Sequence, residues 1–102
     1  MAMFKDAIDC YQAMGKTLSA AAHAPWTRIL VDATLADIRV DAVVTYWDGK
    51  DEKPTGYLAG VPRLAQYVYE LARLVSSEEK GLFKKCRFEL YSDGKFRVSF
   101  EY

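Results

Sequence analysis

The side chains able to do nucleophilic, acid–base or metal chemistry are few and scattered. The sequence holds one histidine, His23, and two cysteines, Cys10 and Cys86. Any Ser–His–Asp or Cys–His arrangement must use that single imidazole. His23 sits two residues before Pro25, in a short connecting stretch, and reads as a linker residue near a helix end. The cysteines form no Cys-x-x-Cys pair and lie far apart, without the clustered spacing of a zinc site. Both fall at apolar positions of periodic segments, where a free Cys behaves as a small hydrophobe. No Gly-x-Gly-x-x-Gly or phosphate loop occurs, and Gly56 and Gly60 read as turn residues. Among fourteen acidic residues, no pair stands in a recognisable catalytic setting. These residue types predict no catalytic residue, no metal site and no cofactor, so the chain reads as something other than an enzyme.

What remains is surface. Asp48, Asp51 and Glu52 crowd one stretch, with Trp47 at its edge and Tyr57 a few residues on. Aromatic anchors beside charges are typical of protein interfaces. The same residues also suit a solvated loop, with Trp47 covering a sheet edge. In the second helical segment Tyr67 borders the apolar stripe, whereas Tyr69 falls outside it and is the better surface candidate. The candidate partner-binding residues are therefore Trp47, Asp48, Asp51, Glu52, Tyr57 and Tyr69.

The elements that must position them follow from hydrophobic periodicity. Over 3–22, Phe4, Ile8, Tyr11, Gly15, Leu18 and Ala22 recur at helical steps, with Ala7, Cys10 and Met14 widening the stripe. Pro25 ends that helix, because the residue before proline is pushed out of the α region. From Trp26 the period becomes two. Ile29, Val31, Ala33 and Leu35 form one strand, and Ile38, Val40, Ala42, Val44 and Tyr46 a second, joined by a short turn near 35–37. Residues 48–54 read as an exposed loop, and 55–59 as a short extra strand. Pro62 suits the first turn of a second helix, with Leu64, Val68, Leu71 and Val75 on one face. Strands over 83–91 and 95–102 then flank Ser92-Asp93-Gly94, a strong hairpin signal. The fold class is α+β in one domain, 1–102: an antiparallel sheet of four to five strands from two hairpins, with two helices packed on one face.

Composition and charge set limits on partners. The chain has 102 residues, 51% hydrophobic and 27% charged, the profile of an ordinary globular domain. Fourteen Lys and Arg balance fourteen Asp and Glu, which argues against direct nucleic-acid binding. The balance hides an uneven distribution. Between 32 and 52 stand Asp32, Asp37, Asp41, Asp48, Asp51 and Glu52 against Arg39 and Lys50. Between 80 and 97 stand Lys80, Lys84, Lys85, Arg87, Lys95 and Arg97 against Glu89 and Asp93. The first hairpin region is acidic and the second basic, so opposite charges neutralise each other wherever the two pair in one sheet. No stretch approaches a membrane span, and the acidic start lacks the pattern of a signal peptide. With sparse cysteines, the expectation is a cytoplasmic protein without membrane contact.

The closing stretch, from Phe83 to Tyr102, resembles the final segment of the YezG-type immunity family. The matching positions are Gly94-Lys95-Phe96 in the turn and Phe100-Glu101-Tyr102 at the end of the last strand. The order of elements agrees too: an N-terminal helix, a Trp (Trp26) opening an alternating hairpin, and a mid-chain helix over 64–74 before the closing hairpin. Phe83 stands where many members have Trp. The resemblance implies an immunity protein that binds and neutralises a toxin C-terminal domain, often a nuclease, in contact-dependent growth inhibition or a related delivery system. It transfers no catalytic residue and no contact residue. Two other readings stay open from the residues alone: a small ligand-binding or enzymatic domain with a pocket between helices and sheet, and an oligomerising module that uses an open sheet edge.

Overall fold

The computed structural model describes residues 4–22, 25–49, 52–76 and 78–102. His23 and Asp51 lie outside the described residues. The elements are α1 (Ala7–Ala21), β1 (Arg28–Ala36), β2 (Arg39–Trp47), β3 (Gly56–Tyr57), α2 (Leu64–Leu74), β4 (Lys85–Tyr91) and β5 (Phe96–Glu101). The strands form one antiparallel sheet in the order β3-β2-β1-β4-β5. This is the expected α+β class, with five strands, the extra one shortened to Gly56–Tyr57.

Local chemistry explains the boundaries. α1 starts at Ala7 because Asp6 caps it: its Oδ1 accepts the Asp9 N–H at 2.9 Å, while Asp9 Oδ2 accepts the Lys5 N–H at 3.3 Å. Two otherwise orphaned donors are thereby satisfied. The β1–β2 turn is Asp37-Ile38, with Asp37 left-handed at φ 55°, a conformation that Asp tolerates. Ile38, expected at the start of a strand, therefore projects from the turn, 82% exposed. Pro62 precedes α2 rather than entering its first turn, and Arg63 takes a left-handed cap position at φ 61°. The Thr17 hydroxyl donates to Pro62 O at 2.9 Å, tying α1 to the entry of α2.

Register assigns the two sheet faces. Ile29, Val31, Ala33 and Leu35 of β1 align with Tyr46, Val44, Ala42 and Val40 of β2. Ile29, Val31 and Ala33 also align with Leu90, Phe88 and Cys86 of β4, which in turn align with Phe96, Val98 and Phe100 of β5. The buried members of this face form a single core with Cys10, Met14 and Leu18 of α1 and Leu64, Val68, Leu71 and Ala72 of α2. Tyr11 of α1 stacks on Phe88 at 6.0 Å, and Phe83 stacks on Phe100 at 5.0 Å. The α1 stripe is rotated from its expected centre: Cys10 and Met14 are fully buried, while Ile8 is 60% exposed.

Candidate functional site

The opposite sheet face carries Arg28, Leu30, Asp32 and Thr34 at the centre, flanked by alternating residues of β2 and β4. Asp32 stands directly across from Arg87, so the acidic and basic hairpins meet along β1 and β4. At one end, three strands deliver a single cross-strand row: Trp47, Arg28 and Tyr91. The Arg28 guanidinium lies 3.8 Å from the indole centroid of Trp47, a cation–π contact. On its other side it reaches Glu89 Oε2 at 3.8 Å. The Tyr91 hydroxyl donates to that same oxygen at 3.1 Å. Arginine, carboxylate and two aromatic rings are thus held in one preorganised arrangement.

Beyond β2, Glu52 reaches back to the first member of this row, Trp47. The Trp47 Nε1–H donates to the Glu52 carbonyl at 3.2 Å, and the indole is only 8% exposed. Thr55 closes the loop: its hydroxyl accepts the Asp48 N–H at 3.0 Å and donates to Asp48 Oδ1 at 2.9 Å. Its own N–H donates to Tyr46 O at 2.8 Å. The Thr27 N–H donates to Trp47 O at 2.7 Å, fixing the start of β1 to the end of β2.

The candidate residues therefore separate. Trp47, Asp48 and Glu52 come together, with Trp47 roofed over rather than projecting. Tyr57 stands on β3 opposite Thr45, 74% exposed. Tyr69 packs partly buried against the core from α2, so it is no freer than Tyr67 and does not join the Trp47 group. Sequence reasoning missed Arg28, Glu89 and Tyr91. Their alternation placed them off the core face, but only the long-range β1–β4 register brings them beside Trp47.

Chemically, the row can bind but holds no activated nucleophile. The two thiols lie elsewhere, in the core. Burial pushes the Cys10 thiol up to about 12, helped by Glu70 and Asp9. Burial likewise pushes Cys86 up to about 12, with Cys10 and Asp32 adding to it. Both therefore stay protonated at neutral pH, and Cys10 donates its S–H to Tyr67 O at 3.4 Å. Among the described residues, no three His, Cys, Asp or Glu side chains gather as metal ligands. A groove of about 820 Å³ opens between α1 and the β4–β5 hairpin, walled by Phe4, Tyr11, Trp26, Tyr91 and Phe96, with Asp9 and Lys16 also lining it. No described helix is long and apolar enough to cross a membrane. The chain matches no family model and no curated protein.

Proposed function

We propose that this protein is a cytoplasmic immunity protein that neutralises a toxin domain by binding it, without catalysis, cofactor or nucleic-acid contact. The observation that carries the reading is the Trp47–Arg28–Glu89–Tyr91 row beside the acidic loop, at one end of an otherwise charged sheet face. Arg and Tyr are enriched in interface hot spots, and the covered Trp47 prearranges the partly exposed Arg28, which lowers the ordering cost of association. The loop carboxylates Asp48 and Glu52 supply the opposite sign for a basic partner such as a nuclease, which favours fast encounter. The resemblance of the closing hairpin to the YezG-type immunity family points the same way.

The direct test is co-expression with the C-terminal domain of a toxin found encoded next to this protein's gene. The expected result is rescue of growth and co-purification of the two chains; failure of both removes the reading. Within a complex, replacing Asp51 and Glu52 by lysine should slow association on the order of tenfold at low salt. An unchanged association rate takes the loop out of the contact. The groove against α1 supports a second reading, a small ligand site with aromatic walls. A thermal-shift screen with planar aromatic compounds tests it, and the absence of any saturable shift counts against it.

A further inference from the structure

β5 closes the sheet order, and among the described residues no strand pairs with its outer side. The ladder decides which backbone groups point there. The Tyr91 N–H donates to Lys95 O at 2.8 Å, so 91 and 95 are a hydrogen-bonded pair. Such pairs alternate along an antiparallel ladder, and the next ones are Glu89–Arg97 and Arg87–Ser99. The N–H and C=O groups of Phe96, Val98 and Phe100 therefore point away from β4. Natural edges are commonly blunted by proline, a bulge, an inward-pointing charge or charged side chains along the strand. β5 uses only the last, Arg97 and Glu101: it has no proline, its register against β4 is unbroken, and its inward side chains are Phe96, Val98 and Phe100. Apolar surface flanks the same edge. Phe96 is 39% exposed, and its ring lies 5.3 Å from that of Tyr11. One helical turn before Tyr11, Ile8 is 60% exposed.

The charge order along β5 selects the occupant. In a two-fold antiparallel pairing about Val98, Phe96 faces the partner's Phe100, Arg97 faces the partner's Ser99, and Lys95 faces the partner's Glu101. Symmetry repeats each contact, giving two ion pairs on the open face and two aromatic pairs on the helix side. Recentring on Arg97 sets like charges directly opposite each other. Recentring on Ser99 sets Arg97 against Glu101, but it parts Lys95 from Glu101 and places Phe100 against Val98 instead of Phe96. We infer that the chain self-associates through β5 into a two-fold dimer, its sheets joined antiparallel about Val98 with Lys95 of each copy against Glu101 of the other. This inference stands apart from the immunity reading. The interface is one strand pair with flanking side chains, so association is weak and concentration-dependent.

Sedimentation equilibrium of the full chain from about 10 μM to about 1 mM tests it over the range expected of a small interface. The wild-type chain shifts toward dimer across that range. Lys95→Glu and Glu101→Lys each weaken association about tenfold, because each places like charges at both contacts. Their equimolar mixture restores opposite charges at both contacts and regains the dimer. Val98→Pro removes an outward N–H that β4 does not use, and stays monomeric with unchanged far-UV circular dichroism. The two charge variants carry the test if that proline unfolds the chain. A wild-type monomer throughout, wild-type association of Lys95→Glu, or a mixture that stays monomeric each overturns the inference.

Discussion

At one edge of the sheet a two-residue strand, β3, is reached through a loop pinned by Thr55 to Asp48 and by the Trp47 indole to Glu52. At the other edge, β5 runs six residues with its outward backbone groups unpaired by any described strand. The first edge is closed by chemistry local to its own loop, and the closure also builds the Trp47–Arg28 surface. The second is left regular, unbroken in register and bordered by Phe96 and Tyr11. Covered backbone and a preorganised side-chain row suit a partner of different chemistry. Open backbone with self-complementary charges suits a second copy. One sheet can thus offer two contacts with little overlap.

The largest expected effect tests whether the closed edge depends on its indole. Trp47→Ala removes a ring that is 8% exposed, together with the hydrogen bond holding the loop. A loss of about 3 kcal/mol is expected in urea denaturation, at the low end for buried aromatics because the site is near the surface. Phe96→Ala at the open edge, starting from 39% exposure, should cost about 1 kcal/mol. Equal losses at the two positions would erase the distinction between the edges.

Next in size is an alkaline effect read through the thiols. Cys86 aligns with Phe100 of β5, whereas Cys10 lies on α1 in contact with α2. Burial raises both thiols from the ordinary 9.0 to about 12. Between those pH values the unfolded chain holds fewer protons than the folded one, so stability falls as pH rises. The slope reaches at most about 1.4 kcal/mol per pH unit for each thiol. Cys86→Ala should flatten the decline measured by denaturation from pH 8.5 to 10.5. At neutral pH, thiol labelling of the native chain should reach Cys86 through fraying of β5 before it reaches Cys10. Labelling of both at one common rate would mean that the open edge opens only with the whole domain.

The sequence made the period-two segments and both hairpin turns legible, because alternation and the Asp93-Gly94 pair are local signals. Ile8 was misread for an equally physical reason. Its spacing fits the apolar stripe, but the stripe centres on Cys10, Met14 and Leu18, one shoulder away. The start of α1 was written in Asp6 and Asp9, whose capping role the apolar pattern outweighed. Trp47 and the acidic loop could be named from composition, yet not whether the indole projects or is covered. That depends on Arg28 and on the backbone of Glu52. Glu89 and Tyr91 could not be placed beside Trp47 at all, since β1 pairs with β4 across the whole middle of the chain.

A smaller effect isolates the hairpin that carries the open edge. Gly94 has φ +92°, and its N–H donates to Tyr91 O at 2.9 Å. Gly94→Ala strains this turn and should cost about 1 kcal/mol. Because β5 touches the sheet through β4 alone, the change should also accelerate labelling of Cys86. In a Trp26→Phe background, Trp47 emission should stay as in the wild type, since its direct contacts, the Arg28 guanidinium and the Glu52 carbonyl, lie off this hairpin. A shifted Trp47 spectrum would show that the two edges are coupled.

The smallest effect on stability separates structure from recognition at the closed edge. Arg28→Lys keeps the positive charge but loses the planar group stacked over the indole. Its contact with Glu89, at 3.8 Å between partly exposed side chains, adds little to folding. The loss of stability should therefore stay below about 1 kcal/mol. Binding to a toxin domain responds differently if the row is the contact. The Arg28 guanidinium, 3.8 Å from the Trp47 ring centroid and 3.8 Å from Glu89, offers planar, forked N–H donors that lysine cannot reproduce. Affinity measured by calorimetry should then drop about tenfold, with most of the change in the dissociation rate. An affinity that falls no further than the stability does would assign Arg28 to the roof over Trp47 alone, and move the contact surface to the loop carboxylates and Tyr57.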